Sequence, residues 1–270
     1  MRLSLSKAWD ECRRIFARDG GLLTAIALAL LVLPQILTGV VAPAEGSPSL
    51  AGRIIGLIAA LVSVIGQLAI VRLALGPSTT VGQAIAHGAR RFPAIIGALI
   101  LLMLGLALVL IPLMAALVAA GIVQVPQAGA QPDSAFAGVA LLLALACILI
   151  AVRFMMTVPV ASAEDAGPLA ILKRSWHLTS GRYWSLLGLE VLLLVAAMFL
   201  LLSAQVVGGV LAQVVGGDPT PFSLSALIFA IVVASAQAVF TVLTSLMIAR
   251  VYVQLSGGGS VEVSVPSSGT

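Results

Sequence analysis

Apolar residues fill six long stretches of this chain almost without interruption, at roughly 21–41, 54–75, 93–122, 136–159, 184–210 and 224–251. Each supplies the ~20 apolar residues with which a helix crosses the hydrocarbon of a bilayer. The third and fifth stretches exceed that need and are expected to tilt, and Pro112 is expected to kink the third. Between the members of each pair lie short polar turns carrying Pro43 and Pro48, Pro126 and Pro132, and Pro219 and Pro221. The pattern predicts three tight helical hairpins.

Ahead of the first, third and fifth stretches the pattern becomes amphipathic. Leu5, Trp9, Cys12 and Phe16 fall at i, i+4, i+7 and i+11, with Lys7, Asp10, Arg13 and Arg14 elsewhere on the wheel. Leu169, Leu172 and Trp176 repeat this against Lys173, Arg174 and His177, with Pro168 suited to a first helical turn. The middle segment, TVGQAIAHGARRFPA, brings Arg90 and Arg91. Gly20 and Gly181 would end the flanking helices before the chain turns into the bilayer. The hairpins close alike, on Val71-Arg72-Leu73, Val152-Arg153-Phe154 and Arg250-Val251-Tyr252. The fold class is therefore an all-α integral membrane protein: six transmembrane helices as three hairpin repeats, each preceded by a cytoplasmic amphipathic interfacial helix. The units run at about 4–75, 79–160 and 165–255 within one domain spanning 1–255. A disordered Gly/Ser-rich tail is expected at 256–270.

Composition sharpens this picture. Of 270 residues, 61% are hydrophobic and 9% charged, and the mean hydropathy is +1.19. A soluble domain carries about a quarter charged residues. The longest polar interval, roughly 161–182, is one helix long, which excludes a soluble nucleotide-binding domain or barrel within this sequence. The net charge of +4 reads as orientation, not as nucleic-acid binding. Thirteen of the fourteen Lys and Arg residues fall on the side of the N-terminus, with Arg53 alone opposite, and Glu45, Asp133 and Asp218 sit in the opposite turns. Both termini are expected in the cytoplasm of a bacterial inner-membrane protein. Ala42-Pro43-Ala44 resembles a cleavage site, but the run before it exceeds the 7–15 residues of a signal peptide, so the first span is read as uncleaved. Cys12 and Cys147 lie in unlike segments and indicate no disulfide.

Candidate chemistry is sparse. There is no phosphate-binding loop, no paired cysteine motif and no metal-spaced histidine, so no cofactor is expected. His87 and His177 occupy similar places in two interfacial segments and read as solvated surface residues. Glu190, about 9 Å past Trp184 along a helix, is an ionisable group inside a span, and pairing with Arg153 or Arg250 would explain its tolerance. Arg72, Arg153 and Arg250 are also able to snorkel. Gln67, Gln205 and Gln237 suggest hydrogen bonds between helices, or a ligand path. Gly52, Gly56, Gly105 and Gly208-Gly209 mark candidate close helix contacts. Trp9, Arg13, Arg14, Arg90, Arg91, Lys173, Arg174, Trp176 and Arg182 form the candidate lipid-facing set, basic residues towards anionic headgroups and tryptophans at the interface.

The stretch VPVASAEDAGPLAILKRSWHLTSGRYWSLLGLE, from Val158 to Glu190, resembles the membrane domain of bacterial glycerophosphoryl diester phosphodiesterase membrane-domain proteins. That pattern has an extended Val-Pro segment, an acidic residue, an Ala/Leu helix with a Trp, then Leu-Thr-x-Gly and a new span. Here these are Val158-Pro159, Glu164, Ala170 to Trp176, and Leu178-Thr179-Ser180-Gly181. In enzymes of that family hydrolysis belongs to an attached barrel with metal-binding carboxylates and histidines. This sequence has no stretch able to form one, so the resemblance implies a membrane domain without the catalytic activity.

The expected function is that of a non-enzymatic accessory or scaffold protein working on anionic lipid headgroups or protein partners through its basic interfacial helices. A protein partner and a homo-oligomer both stay open. The alternative is a small transporter or lipid-handling protein with a path between the hairpin repeats.

Overall fold

In a computed structural model, residues 5–41, 50–76, 80–124, 134–217 and 220–257 are described. The predicted turn positions Glu45, Asp133 and Asp218, and the tail from 258, lie outside them. Among the described residues there are helices and no strand. Six helical runs are long and apolar enough to cross a membrane: Ser6–Val41, Leu50–Leu75, Val81–Ala119, Ser134–Ala163, Tyr183–Gly216 and Leu224–Leu255.

The first run consists of α1 (Leu5–Ala27), a π-helical turn (Leu28–Val32) and α2 (Leu33–Val41). At Asp19 the backbone leaves helical values (φ −115°, ψ 15°), so the polar segment and the span meet at a kink one residue before Gly20. The π turn has a local cause in Pro34, which has no N–H and whose ring would clash with the carbonyl four residues back. One extra residue in the turn, with the Leu33 N–H donating to Leu28 O, relieves this.

Next come α3 (Leu50–Leu75) and α4 (Val81–Ala119). Helix α4 starts on a capping box, Thr80 Oγ1 accepting from the Gln83 N–H and Gln83 Oε1 accepting from the Thr80 N–H. It continues through Pro93 and Pro112 for 39 residues, about 58 Å. Here the expected interfacial segment and the span are one helix. The fourth span, expected as one piece over 136–159, divides instead into α5 (Ser134–Phe154) and α6 (Thr157–Ala163). Val158 and Pro159, expected to be extended, lie in the first turn of α6, where a proline costs no intrahelical bond. Helix α7 (Pro168–Ser180) is separate, and α8 (Tyr183–Gly216) and α9 (Leu224–Leu255) follow it. The three polar segments thus enter their spans differently: across a kink, without a break, and through a two-residue turn.

Helix α9 packs against α1, α2, α3 and α8. Ala226, Ala230, Ala234 and Ala238, four residues apart, form a buried stripe that lets neighbours approach closely. A Cβ on Gly39 would stand 2.8 Å from Ala230 Cβ, and one on Gly208 would stand 3.2 Å from Phe229 Cδ2. Gly88 of α4 lies so near α3 that a Cβ would meet Ile65 O at 2.8 Å. Gly105, singled out from sequence, has nothing within 4 Å, whereas Gly39, Gly88 and Gly97 carry close contacts that no spacing motif marks. Gly88→Ala should therefore destabilise the solubilised protein by about 1–3 kcal/mol, because backbone must move. Gly105→Ala should leave the melting temperature unchanged or raise it. Equal melting temperatures for the two variants would contradict this packing.

The tightest core lies at one end of the bundle, where Ile70, Val71, Leu73, Val152, Met156, Val160, Ile171, Leu186, Leu189 and Leu246 are all 5% exposed or less. Away from that end, α4, α5 and α8 present Leu104, Leu108, Leu141, Leu142, Phe199 and Val214 outward. Such a continuous apolar wall is tolerated in lipid and not in water.

Candidate functional site

The end that holds this core also gathers most of the charged side chains among the described residues. Glu164, just past the end of α6, accepts from Arg174 Nε of α7 at 3.0 Å and from the Tyr252 hydroxyl of α9 at 2.9 Å, through the same Oε1. Asp165 pairs with Arg91 of α4. His87, one turn before Arg91, places Nε2 2.8 Å from Ser162 O, and the Ser162 hydroxyl donates to Leu68 O at 3.4 Å. Arg250 donates to Ala74 O at 2.6 Å, and its Nε faces Glu11 Oε2 at 4.0 Å without a hydrogen bond. These contacts tie the starts of α1 and α4, the ends of α3 and α9, and all of α6 and α7 into one basic end.

Helix α7 is fixed there by its inward face. Ile171, Ser175 and Thr179 recur every four residues and are fully buried. The two hydroxyls donate to Arg153 O at 2.9 and 3.3 Å, satisfying a carbonyl left free where α5 stops. The Arg153 side chain lies between two aromatic rings, its guanidinium carbon 4.9 Å from the Trp176 centroid and 4.8 Å from that of Tyr183. Its Nη1 is buried without a hydrogen-bond partner, and it makes no ion pair among the described residues.

Two apolar grooves open beside this end. One, of about 790 Å³, lies between α1 and α9, with Trp9, Arg13 and Phe16 at one end and Leu28, Val32 and Val239 among its walls. The other, of about 610 Å³, lies between α4, α5 and α7. Lys173 and Trp176 stand at its mouth and Leu101, Leu110, Leu113 and Leu143 line it. Trp9 and Trp176 are each about half exposed, at 48% and 49%.

Several expectations need correction. Of the stripe Leu5, Trp9, Cys12 and Phe16, the last three do not share one face, and the Leu5 side chain lies outside the described residues. Cys12 turns inward with Ala8 and Ile15, while Trp9 and Phe16 turn out into the groove, because α1 leans on protein along one side. Glu190 pairs with neither arginine, since Arg153 is taken up by Trp176 and Tyr183 and Arg250 by Ala74 O and Glu11. It sits half-buried on α8 with no hydrogen bond or ion pair among the described residues. Arg174 pairs with Glu164 while still 40% exposed, and Arg91, more enclosed, pairs with Asp165. Arg13, Arg14, Arg90 and Lys173 are exposed, and Arg72 and Arg182 are half-buried. His87 is tied to Ser162 O, unlike exposed His177.

Gln67, Gln237 and Glu190 do not line one path. Gln237 and Gln205 are exposed, and no side-chain hydrogen bond joins any of the three glutamines to another helix among the described residues. Gln67 instead borders a cleft of about 200 Å³ with Thr241, Thr244 and Ser245 of α9 and Met155 and Pro159 at the α5–α6 break. The Thr244 hydroxyl is buried there without a partner. This hydroxyl cluster was legible as Thr241, Thr244 and Ser245 within little more than one turn, but only the fold sets it opposite Gln67. Cys12 and Cys147 are free thiols, and no group of three His, Cys, Asp or Glu residues suited to a metal occurs among the described residues.

A protein family described as Domain of unknown function (DUF7847) matches residues 3–255. No curated protein and no solved structure matches the chain.

Proposed function

The chain belongs to the DUF7847 family, and we propose that it is a non-enzymatic accessory or scaffold protein of the bacterial inner membrane that engages anionic lipid headgroups. In this reading both termini are cytoplasmic, and the three helical hairpins are each entered by a basic segment in the headgroup region. The working surface is α1, the start of α4, and α7. Protein partners or a second copy would dock on the same face.

One observation carries the reading: a half-exposed tryptophan stands beside an exposed basic residue at the mouth of an apolar groove, and it does so twice, as Trp9 with Arg13 and as Trp176 with Lys173. Tryptophan favours the headgroup boundary, and each Lys or Arg near an anionic surface contributes about 1 kcal/mol. Around α1 the wheel supplies three faces in order: Ala8, Cys12 and Ile15 towards protein, Trp9 and Phe16 towards the acyl boundary, and Arg13, Arg14 and Lys7 towards water. Helix α7 repeats the order with Ile171, Ser175 and Thr179, then Leu169, Leu172 and Trp176, then Lys173 and His177. Kinship with the glycerophosphoryl diester phosphodiesterase membrane domains is part of this proposal and rests on the Glu164 to Gly181 segment, whose acidic residue and helix meet in the Glu164–Arg174 pair.

The test is lipid retention. Protein reconstituted with equal phosphatidylglycerol and phosphatidylcholine, then extracted in mild detergent, should carry phosphatidylglycerol in excess. Equal retention of both lipids would contradict the reading. The transporter alternative is supported by the cleft at Gln67 and the unpartnered Thr244 hydroxyl. It requires a solute flux in liposomes that Thr244→Val abolishes.

A further inference from the structure

The groove between α4, α5 and α7 differs from a general basic surface in length, position and charge. Its lining runs from Leu101 to Leu113 on α4 and from Leu143 to Phe154 on α5, about 18 and 16 Å at 1.5 Å per residue. That is the depth of one leaflet, about half of a 30 Å hydrocarbon core. Its mouth is at the basic end, where α7 sets Lys173 and Trp176 over it. Behind Trp176, in contact with its ring, lies the Arg153 guanidinium. Neither Lys173 nor Arg153 makes an ion pair among the described residues, so the mouth carries two positive charges with no carboxylate against them. A guanidinium held in the low-dielectric part of a leaflet gains strongly from an anion.

We infer that this groove is a binding site for a single anionic glycerophospholipid, with one acyl chain lying along α4 and α5 and the phosphate held at Lys173 beside Trp176, over the positive charge of Arg153. The inference rests on the lipid-engaging reading above and gives it one defined site. The groove beside α1 is the weaker candidate, since the carboxylates Asp10 and Glu11 share the helix that carries Arg13. Gly105 is the specific feature of the chosen groove: it is in the lining, and a Cβ there meets nothing within 4 Å. A larger side chain at this position therefore fills the chain's path without displacing protein or altering charge.

The experiment compares the parent with Gly105→Phe, Lys173→Gln and the double variant Arg13→Gln/Arg14→Gln, each purified in mild detergent and titrated with phosphatidylglycerol or phosphatidylcholine under native mass spectrometry. The parent should hold one phosphatidylglycerol more tightly than any further lipid, and phosphatidylcholine at least tenfold more weakly. Gly105→Phe should weaken that first site at least tenfold at unchanged melting temperature, and Lys173→Gln should reduce the preference for phosphatidylglycerol over phosphatidylcholine. A tight first site that survives Gly105→Phe in a folded protein overturns the site. If that site is instead lost in Arg13→Gln/Arg14→Gln, the lipid-engaging reading stands and only this location fails; if no variant and no lipid class differs, both fail. Should Gly105→Phe lower the melting temperature, Gly105→Leu takes its place under the same criteria.

Discussion

Replacing Glu164 with leucine will lower the stability of the purified protein by about 3 kcal/mol, the largest effect expected from a single polar side chain. Its Oε1 accepts two hydrogen bonds, from Arg174 and from Tyr252, and so ties α6, α7 and α9 together. The ion pair is partly open to solvent, with side-chain exposures of 40% and 33%, and contributes about 1 kcal/mol or less. The larger share comes from Tyr252, only 6% exposed, whose hydroxyl would be left unpaired at a cost of about 1–3 kcal/mol. Glu164→Gln keeps an acceptor for that hydroxyl and should cost about 1 kcal/mol. Asp165→Asn removes a carboxylate that is 94% exposed and should cost less than that. Thermal unfolding in detergent should rank the three in that order. A melting temperature for Glu164→Leu equal to that of Asp165→Asn would show that the junction does not organise this end.

The triple substitution Arg13→Gln, Arg14→Gln and Lys173→Gln will weaken association with anionic lipid by roughly 3 kcal/mol, about a hundredfold, at about 1 kcal/mol per charge near the surface. All three are exposed and none makes an ion pair among the described residues, so the fold should not register their loss. Arg174, which sequence alone placed in this set, is excluded because its removal would also unpair Glu164. Raised salt should weaken the parent's association more steeply than that of the triple variant, which keeps exposed Lys7, Arg18 and Arg90, since screening acts on exposed charge. An unchanged lipid affinity in the triple variant would mean that the basic segments serve only as connectors.

The spans were legible because bilayer thickness imposes a length that continuous apolar runs meet directly. All six expected runs coincide with helices able to cross. What the sequence hid was how the helices face one another. Periodicity marks a face as apolar but does not separate a protein neighbour from a lipid neighbour, so Cys12 and Trp9 looked like one stripe and belong to two surfaces. The pairing of Glu190 was argued from depth alone, and depth does not say on which side of α8 an arginine stands. Glycine spacing was similarly mute: Gly88 abuts Ile65 O while Gly105 opens on a groove. Proline marked Pro112, which lies within a continuous α4, but nothing in the sequence marked the stop of α5 before Met155, ahead of Pro159. The Glu164 segment stood out in the sequence as a motif; its partner Tyr252, 88 positions away, needed the fold.

The central claim, that α1 and α7 set a basic, tryptophan-bearing surface against anionic headgroups, is tested most directly by fluorescence quenching with brominated lipids. Trp9, Trp176 and Trp184 are the protein's tryptophans, so a Trp184→Phe background reports only the two at the groove mouths. In nanodiscs of mixed composition, phosphatidylglycerol brominated near the carbonyl end of its chains should quench this emission more strongly than phosphatidylcholine brominated at the same carbon. Equal quenching by the two lipids would contradict the account, and quenching by neither would remove both tryptophans from the lipid boundary altogether.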